Sequence, residues 1–254
     1  MAQQLSILGI DDETVILESI RKILGAEGFA VRTSPDAESG LVALRAQPPD
    51  IALIDLKLPR VSGMELLEII RTEFPRVAVI MMTGYSTLEN AVAALHSGAF
   101  DFLPKPFTFE ELLGVVQRAE RLVTLRGEMR VPDSPEDAGR VYRLGLCAWT
   151  RVERDDTALV GVTNLCQRII GQIMRLEWFI LDDQVQQGGR LAELAAADQL
   201  RHPVWAALSG RVLERNHEVE TDPSLLNRDP WGRGWLVRIS PENLTSELAN
   251  LRPV

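Results

Sequence analysis

The chain has 254 residues, 46% hydrophobic and 25% charged, with a formal net charge of −9. That length allows two modest domains, each with its own core. Acids outnumber bases in both halves, which excludes the basic body of a nucleic-acid binder, and no apolar run reaches the ~18 residues of a membrane span.

Short apolar runs come first: LSILGI (5–10), FAVRTS (29–34), IALIDL (51–56), VAVIMMT (77–83) and FDFLPK (100–105). Segments with helical spacing separate them, for example Val15, Ile16, Ile20, Ile23 and Leu24. Nearly continuous apolar strands alternating with amphipathic helices predict a parallel five-stranded sheet covered on both faces. The last helix is expected from about Thr108 to Arg126. A polar stretch with two prolines, GEMRVPDSPEDAGR (127–140), then reads as a linker. Beyond it, TALVGVT (157–163), WAALSGRVLE (205–214) and GWLVRIS (234–240) read as strands, separated by turn signals at 188–189, 209–210 and 231–234. The fold class is therefore α/β plus mainly β, with domains at 1–126 and 141–254. All three lysines (Lys22, Lys57, Lys105) lie in the first half and all five tryptophans in the second, as expected for two domains of separate origin.

Doubly wound sheets carry their active groups at the carboxyl ends of the strands. The first strand ends in Asp11-Asp12-Glu13, the third contains Asp55, the fourth ends in Thr83-Gly84 and the fifth in Lys105-Pro106. Three converging carboxylates need a counter-charge. Mg²⁺ supplies one, preferring a few carboxylates, waters and phosphate oxygens. A carboxylate beside it can act as nucleophile toward a phosphoryl group, with Lys105 neutralising the transferring oxygens and Thr83 donating a hydrogen bond.

Taken together, GIDDE, LIDLKLPRVSGMELL, MMTGYS and FDFLPKPF resemble the receiver domain of two-component response regulators, over about residues 3–125. The resemblance implies a flavodoxin-like (βα)5 fold with Asp55 as phosphoacceptor. It implies Mg²⁺ at Asp11, Asp12, Asp55 and the backbone carbonyl of Lys57, with Thr83 and Lys105 on the phosphoryl group. Phe102 takes the switch-aromatic position, and the Lys105–Pro106 bond is implied to be cis. A sensor histidine kinase is the implied phosphodonor, and the face at about 86–120 the implied surface for a homodimer or a docking partner. No enzyme activity is expected beyond the receiver's own phosphoryl transfer and dephosphorylation.

The second half is similar to the glycine cleavage system H protein, a relative of lipoyl domains, over about 141–254. The similarity is carried by 148–177, by LSGRVLERNHEV (208–219) and most specifically by PSLLNRDPWGRGWLVRISPENL (223–244). A lipoyl/H-protein-like β-sandwich hybrid is the implied fold, with Trp235 and Leu236 in the core. The family carries a lipoyl-lysine eleven residues before the hairpin glycine. Counted back from Gly210, that position is Gln199, and no lysine follows Lys105. A carboxamide cannot form the amide that links lipoate, so no lipoate is expected.

Other features of this half carry ordinary readings. His202 and His217 lack partners at metal-ligand spacing. Cys147 and Cys166 are expected as buried free thiols. Asp155-Asp156 and Asp182-Asp183 are expected in turns. The amino terminus shows no secretory signal, so a cytoplasmic location is expected. The expected function is a response regulator whose phosphorylation controls protein–protein interaction through the H-protein-like domain. The alternatives are a DNA-binding transcriptional regulator, and a phosphate sink or relay with a purely structural second domain.

Overall fold

The computed structural model describes residues 4–84, 88–125, 140–197 and 200–254. Most of the linker and Gln199 therefore lie outside the described residues. The chain divides into two compact units, with Leu88–His96 grouped with the carboxy-terminal one.

Five strands, β1 (Ser6–Ile10), β2 (Ala30–Ser34), β3 (Ile51–Asp55), β4 (Ala78–Thr83) and β5 (Asp101–Pro104), alternate with α1 (Thr14–Ala26), α2 (Ala37–Ala46), α3 (Gly63–Glu73), α4 (Leu88–Ser97) and α5 (Phe109–Leu125). The strands form one sheet in the order β2-β1-β3-β4-β5, and every neighbouring pair is parallel. Each residue of β3 and β4 is buried. A strand covered on both faces has no solvated side, hence the unbroken apolar runs. Helix α1 turns Leu17, Ile20 and Leu24 inward, three and seven residues apart. Helix α3 begins with a capping box: Ser62 Oγ accepts from the Glu65 N–H at 3.2 Å, and the Glu65 carboxylate accepts from the Ser62 N–H at 2.8 Å. β1 has β2 on one side and β3 on the other, so consecutive connections leave in opposite directions. The resulting crevice opens at the carboxyl ends of β1 and β3.

The second half is antiparallel. One sheet of seven strands contains β6 (Val141–Leu144), β7 (Ala148–Val152), β8 (Ala158–Val162), β10 (Gln184–Val185), β13 (Gly210–Arg215), β14 (Trp235–Pro241) and β15 (Arg252–Pro253), in the order β10-β13-β14-β8-β7-β6-β15. The second sheet runs β12 (Arg201–Trp205), β11 (Arg190–Ala196), β9 (Ile173–Trp178). Short helices α6 (Asn164–Ile170), α7 (His217–Thr221), α8 (Leu225–Arg228) and α9 (Leu244–Leu248) complete the H-protein-like sandwich. Trp149 is fully buried with Val141 and Leu159, and Trp231, Trp235 and Val254 pack on this cluster. Leu236 is fully buried and Trp235 partly so, as the H-protein resemblance implied.

Several expectations change in detail. The run 205–214 is not one strand: β12 ends at Trp205 and β13 starts at Gly210. Ala206, Ala207 and Leu208 between them are buried without strand pairing. Gly210 has φ +155°, and a Cβ there would lie 2.2 Å from the Ser240 carbonyl oxygen, so only glycine fits this entry into β13. Neither cysteine forms a disulfide among the described residues, but Cys147 is half-buried. His202 is a core residue and the His217 side chain is exposed. Asp156, Asp182 and Asp183 adopt positive φ in their turns.

Candidate functional site

The crevice at the ends of β1 and β3 collects the predicted residues. Asp11 follows β1 directly, is fully buried, and is fixed by its N–H donating to the Ser34 carbonyl at 3.2 Å. Asp55 is the last residue of β3 and is buried. Asp12 is exposed, and one carboxylate oxygen each from Asp11, Asp12 and Asp55 lie within 4.8 Å of one another. Main-chain donors orient the two buried acids. The Glu13 N–H donates to Asp11 Oδ1 at 3.0 Å and the Lys57 N–H to Asp55 Oδ2 at 3.1 Å.

Lys105 supplies the counter-charge. Its Nζ lies 2.6 Å from Asp11 Oδ2, 3.0 Å from Asp55 Oδ1 and 3.2 Å from Glu13 Oε1. Its N–H donates to the Thr83 carbonyl at 2.8 Å, which ties the ends of β4 and β5 together. The Lys105–Pro106 bond is cis. Thr83 is buried, and its hydroxyl has no hydrogen-bond partner among the described residues. Phe102 is buried on β5.

Burial pushes the Asp11 carboxyl above its ordinary value, against the downward pull of Lys105 and the Glu13 N–H. Burial pushes Lys105 down, but its contacts with Asp11 and Asp55 outweigh that, and its net shift is upward. The ammonium therefore stays charged because the carboxylates surround it. The donor set fits Mg²⁺: three carboxylates, one of them open to solvent, beside a buried hydroxyl with an unused donor.

One contributor, Glu13, was not assigned a role from sequence. Glu13 reaches Lys105 across 92 residues of chain; its place in the acidic triplet was the only signal. Gly63 lets the loop after β3 fold back. Its N–H donates to the Leu56 carbonyl at 3.0 Å, and a Cβ there would lie 2.1 Å from the Asp55 carbonyl oxygen. In the second half, the Ala196 N–H donates to the Leu200 carbonyl at 3.3 Å, closing the β11–β12 connection. That connection contains the position of Gln199, itself outside the described residues.

Comparison with known proteins agrees with both halves. Residues 7–117 match the response regulator receiver domain and residues 141–252 the glycine cleavage H-protein. The acid tolerance regulatory protein ActR of Rhizobium meliloti (strain 1021) is 30% identical over 171 residues, 67% of this chain and 78% of that protein. The nitrogen assimilation regulatory protein NtrX of Azorhizobium caulinodans is 40% identical over 126 residues, 49% of this chain. The probable transcriptional regulatory protein TcrX of Mycobacterium tuberculosis is 35% identical over 153 residues, 56% of this chain. This chain spans 28% of the length of that NtrX and 64% of that TcrX. The carboxylate triad, the lysine between its members and these matches lead to one conclusion: the chain belongs to the response regulator family, with a receiver domain joined to a glycine cleavage H-protein domain.

Proposed function

We propose that this protein is a phosphorylation-controlled switch whose output is protein–protein interaction through its H-protein-like domain. The observation that carries the reading is the buried Asp55 carboxylate beside Asp11, Asp12 and Lys105. An oxygen of Asp55 forms the O–P bond while the P–N bond of the donor kinase's phosphohistidine breaks. Lys105 moves its positive charge from the carboxylate to the phosphoryl oxygens, and the Thr83 hydroxyl donates its unused hydrogen bond to one of them. Asp11, Asp12, Asp55 and the Lys57 carbonyl would hold Mg²⁺, which supplies charge neutralisation for the transferring oxygens. As Thr83 moves toward the phosphoryl group, the space beside Phe102 changes. That change biases the surface of α4, β5 and α5, the proposed docking or homodimer face at about 86–120. Residues 86 and 87 of that range lie outside the described residues.

The absence of lysine after Lys105 supports an H-protein-like domain retained for its surface and not for lipoyl transfer. The test is molar mass by light scattering with Mg²⁺ alone and with Mg²⁺ plus beryllofluoride, a phosphoryl mimic. A mass doubling in wild type, absent in Asp55→Asn, supports a homodimer as output. An unchanged mass with beryllofluoride bound overturns the homodimer.

A further inference from the structure

The pairing of β15 with β6 sets Arg252 directly opposite Arg143. Opposed residues of an antiparallel pair project to the same face, with Cβ atoms ~5 Å apart, and like charges there repel. Three other arginines of the same sheet have carboxylates: Arg151 lies 3.0 Å from Glu153, Arg215 lies 3.3 Å from Asp183 and Arg238 lies 3.6 Å from Glu214. Among the described residues no acid forms an ion pair with Arg143 or Arg252. Arg252 donates one Nη2 to the main-chain carbonyl of His96 at 2.6 Å, a residue of the same compact unit. That use leaves most of its five donors.

The unmet demand is for an acceptor. Arg143 Nε is buried and has no hydrogen-bond partner among the described residues, and the same holds for Trp231 Nε1. Both donors border one ring. Arg143 lies opposite Trp149 across β6 and β7, and Trp231 packs on Trp149 with ring centroids 5.5 Å apart. Buried donors without acceptors are costly and call for a missing partner. Burial, and then the charge of Arg252, push the Arg143 guanidinium below its ordinary value, as for a cation without a counter-ion. Every unmet group here is a donor or a cation, so the chemistry that completes the site is a negatively charged acceptor.

We propose that Arg143 and Arg252 form a binding site for an oxyanion, a phosphate or a carboxylate group, which the paired guanidinium forks grip together. Both arginines of the site lie in the H-protein-like half.

All five tryptophans lie in the second half, so their fluorescence reports on this half alone. The full-length protein, in divalent-free buffer at constant ionic strength, is titrated with inorganic phosphate and separately with succinate. A saturable change is expected, weakened about tenfold or more in Arg143→Gln and in Arg252→Gln and retained in Arg151→Gln, as for loss of one charge-assisted contact. Saturation by phosphate alone assigns a phosphate-bearing ligand, saturation by succinate alone a carboxylate, and saturation by both an oxyanion site of either kind. No saturable change, or equal affinity in the wild type and both variants, overturns the proposal. Circular dichroism establishes that each variant folds. Arg252→Gln, exposed on the edge strand β15, serves if Arg143→Gln does not.

Discussion

Asp11, Asp12 and Asp55 crowd one sheet edge, and the ammonium of Lys105 makes that crowding tolerable. At ~4 Å a unit charge pair is worth about 1–4 kcal/mol between bulk-water and near-surface dielectrics. Removing the lysine leaves acids that a divalent cation can neutralise instead. Lys105→Met should therefore bind Mg²⁺ roughly tenfold more tightly, measured by calorimetric titration; weaker binding would contradict this balance. Gly63 makes a second prediction. A Cβ placed 2.1 Å from the Asp55 carbonyl oxygen must displace main chain, so Gly63→Ala should lose about 1–3 kcal/mol in urea unfolding. An unchanged midpoint would mean that the loop has slack. Most of this site was legible because each residue closes a strand, and parallel strands bring their ends together. The contact of Glu13 with Lys105 was not, because it depends on how far a side chain reaches between the ends of β1 and β5.

Among the elements, β5 is held to α5 by a buried ion pair. Arg118 Nη2 lies 2.6 Å from Asp101 Oδ2 and its Nε donates to the same oxygen at 3.2 Å, while Asp101 Oδ1 accepts from the Phe102 N–H at 2.9 Å. Arg118→Leu removes both guanidinium bonds from the buried Asp101 carboxylate, and a loss of about 3–5 kcal/mol is expected in chemical denaturation. Adding Asp101→Asn should recover part of it, and a double variant no more stable than Arg118→Leu would refute the charge argument. The receiver strands could be read from sequence because full burial writes itself as an apolar run. In the second half the same rule misled. Ala206, Ala207 and Leu208 are buried at 1% exposure or less yet join two strands of different sheets, and apolarity records burial, not pairing. β10 and β15 have two residues each, too short to show any period.

For the whole molecule, the two halves bring separate chemistries. The receiver carries the lysine-bridged carboxylate site; the H-protein-like half keeps the carrier architecture with no lysine to modify. Incubation of the intact protein with a lipoate ligase, ATP and lipoate should add no lipoyl mass, and an added lipoyl group would contradict this reading. The domain pair was legible from the lysine and tryptophan partition. The opposed arginines on β6 and β15 were not, because their pairing joins residues 143 and 252 through a two-residue edge strand.

The central claim, that Asp55 is the phosphoacceptor of a working receiver, is tested most directly by intact mass after exposure to acetyl phosphate with and without Mg²⁺. The account predicts one phosphoryl group on the wild-type chain with Mg²⁺, and none without the cation or in Asp55→Asn. The same mass gain in Asp55→Asn, or no gain in a folded wild type supplied with Mg²⁺, would contradict it.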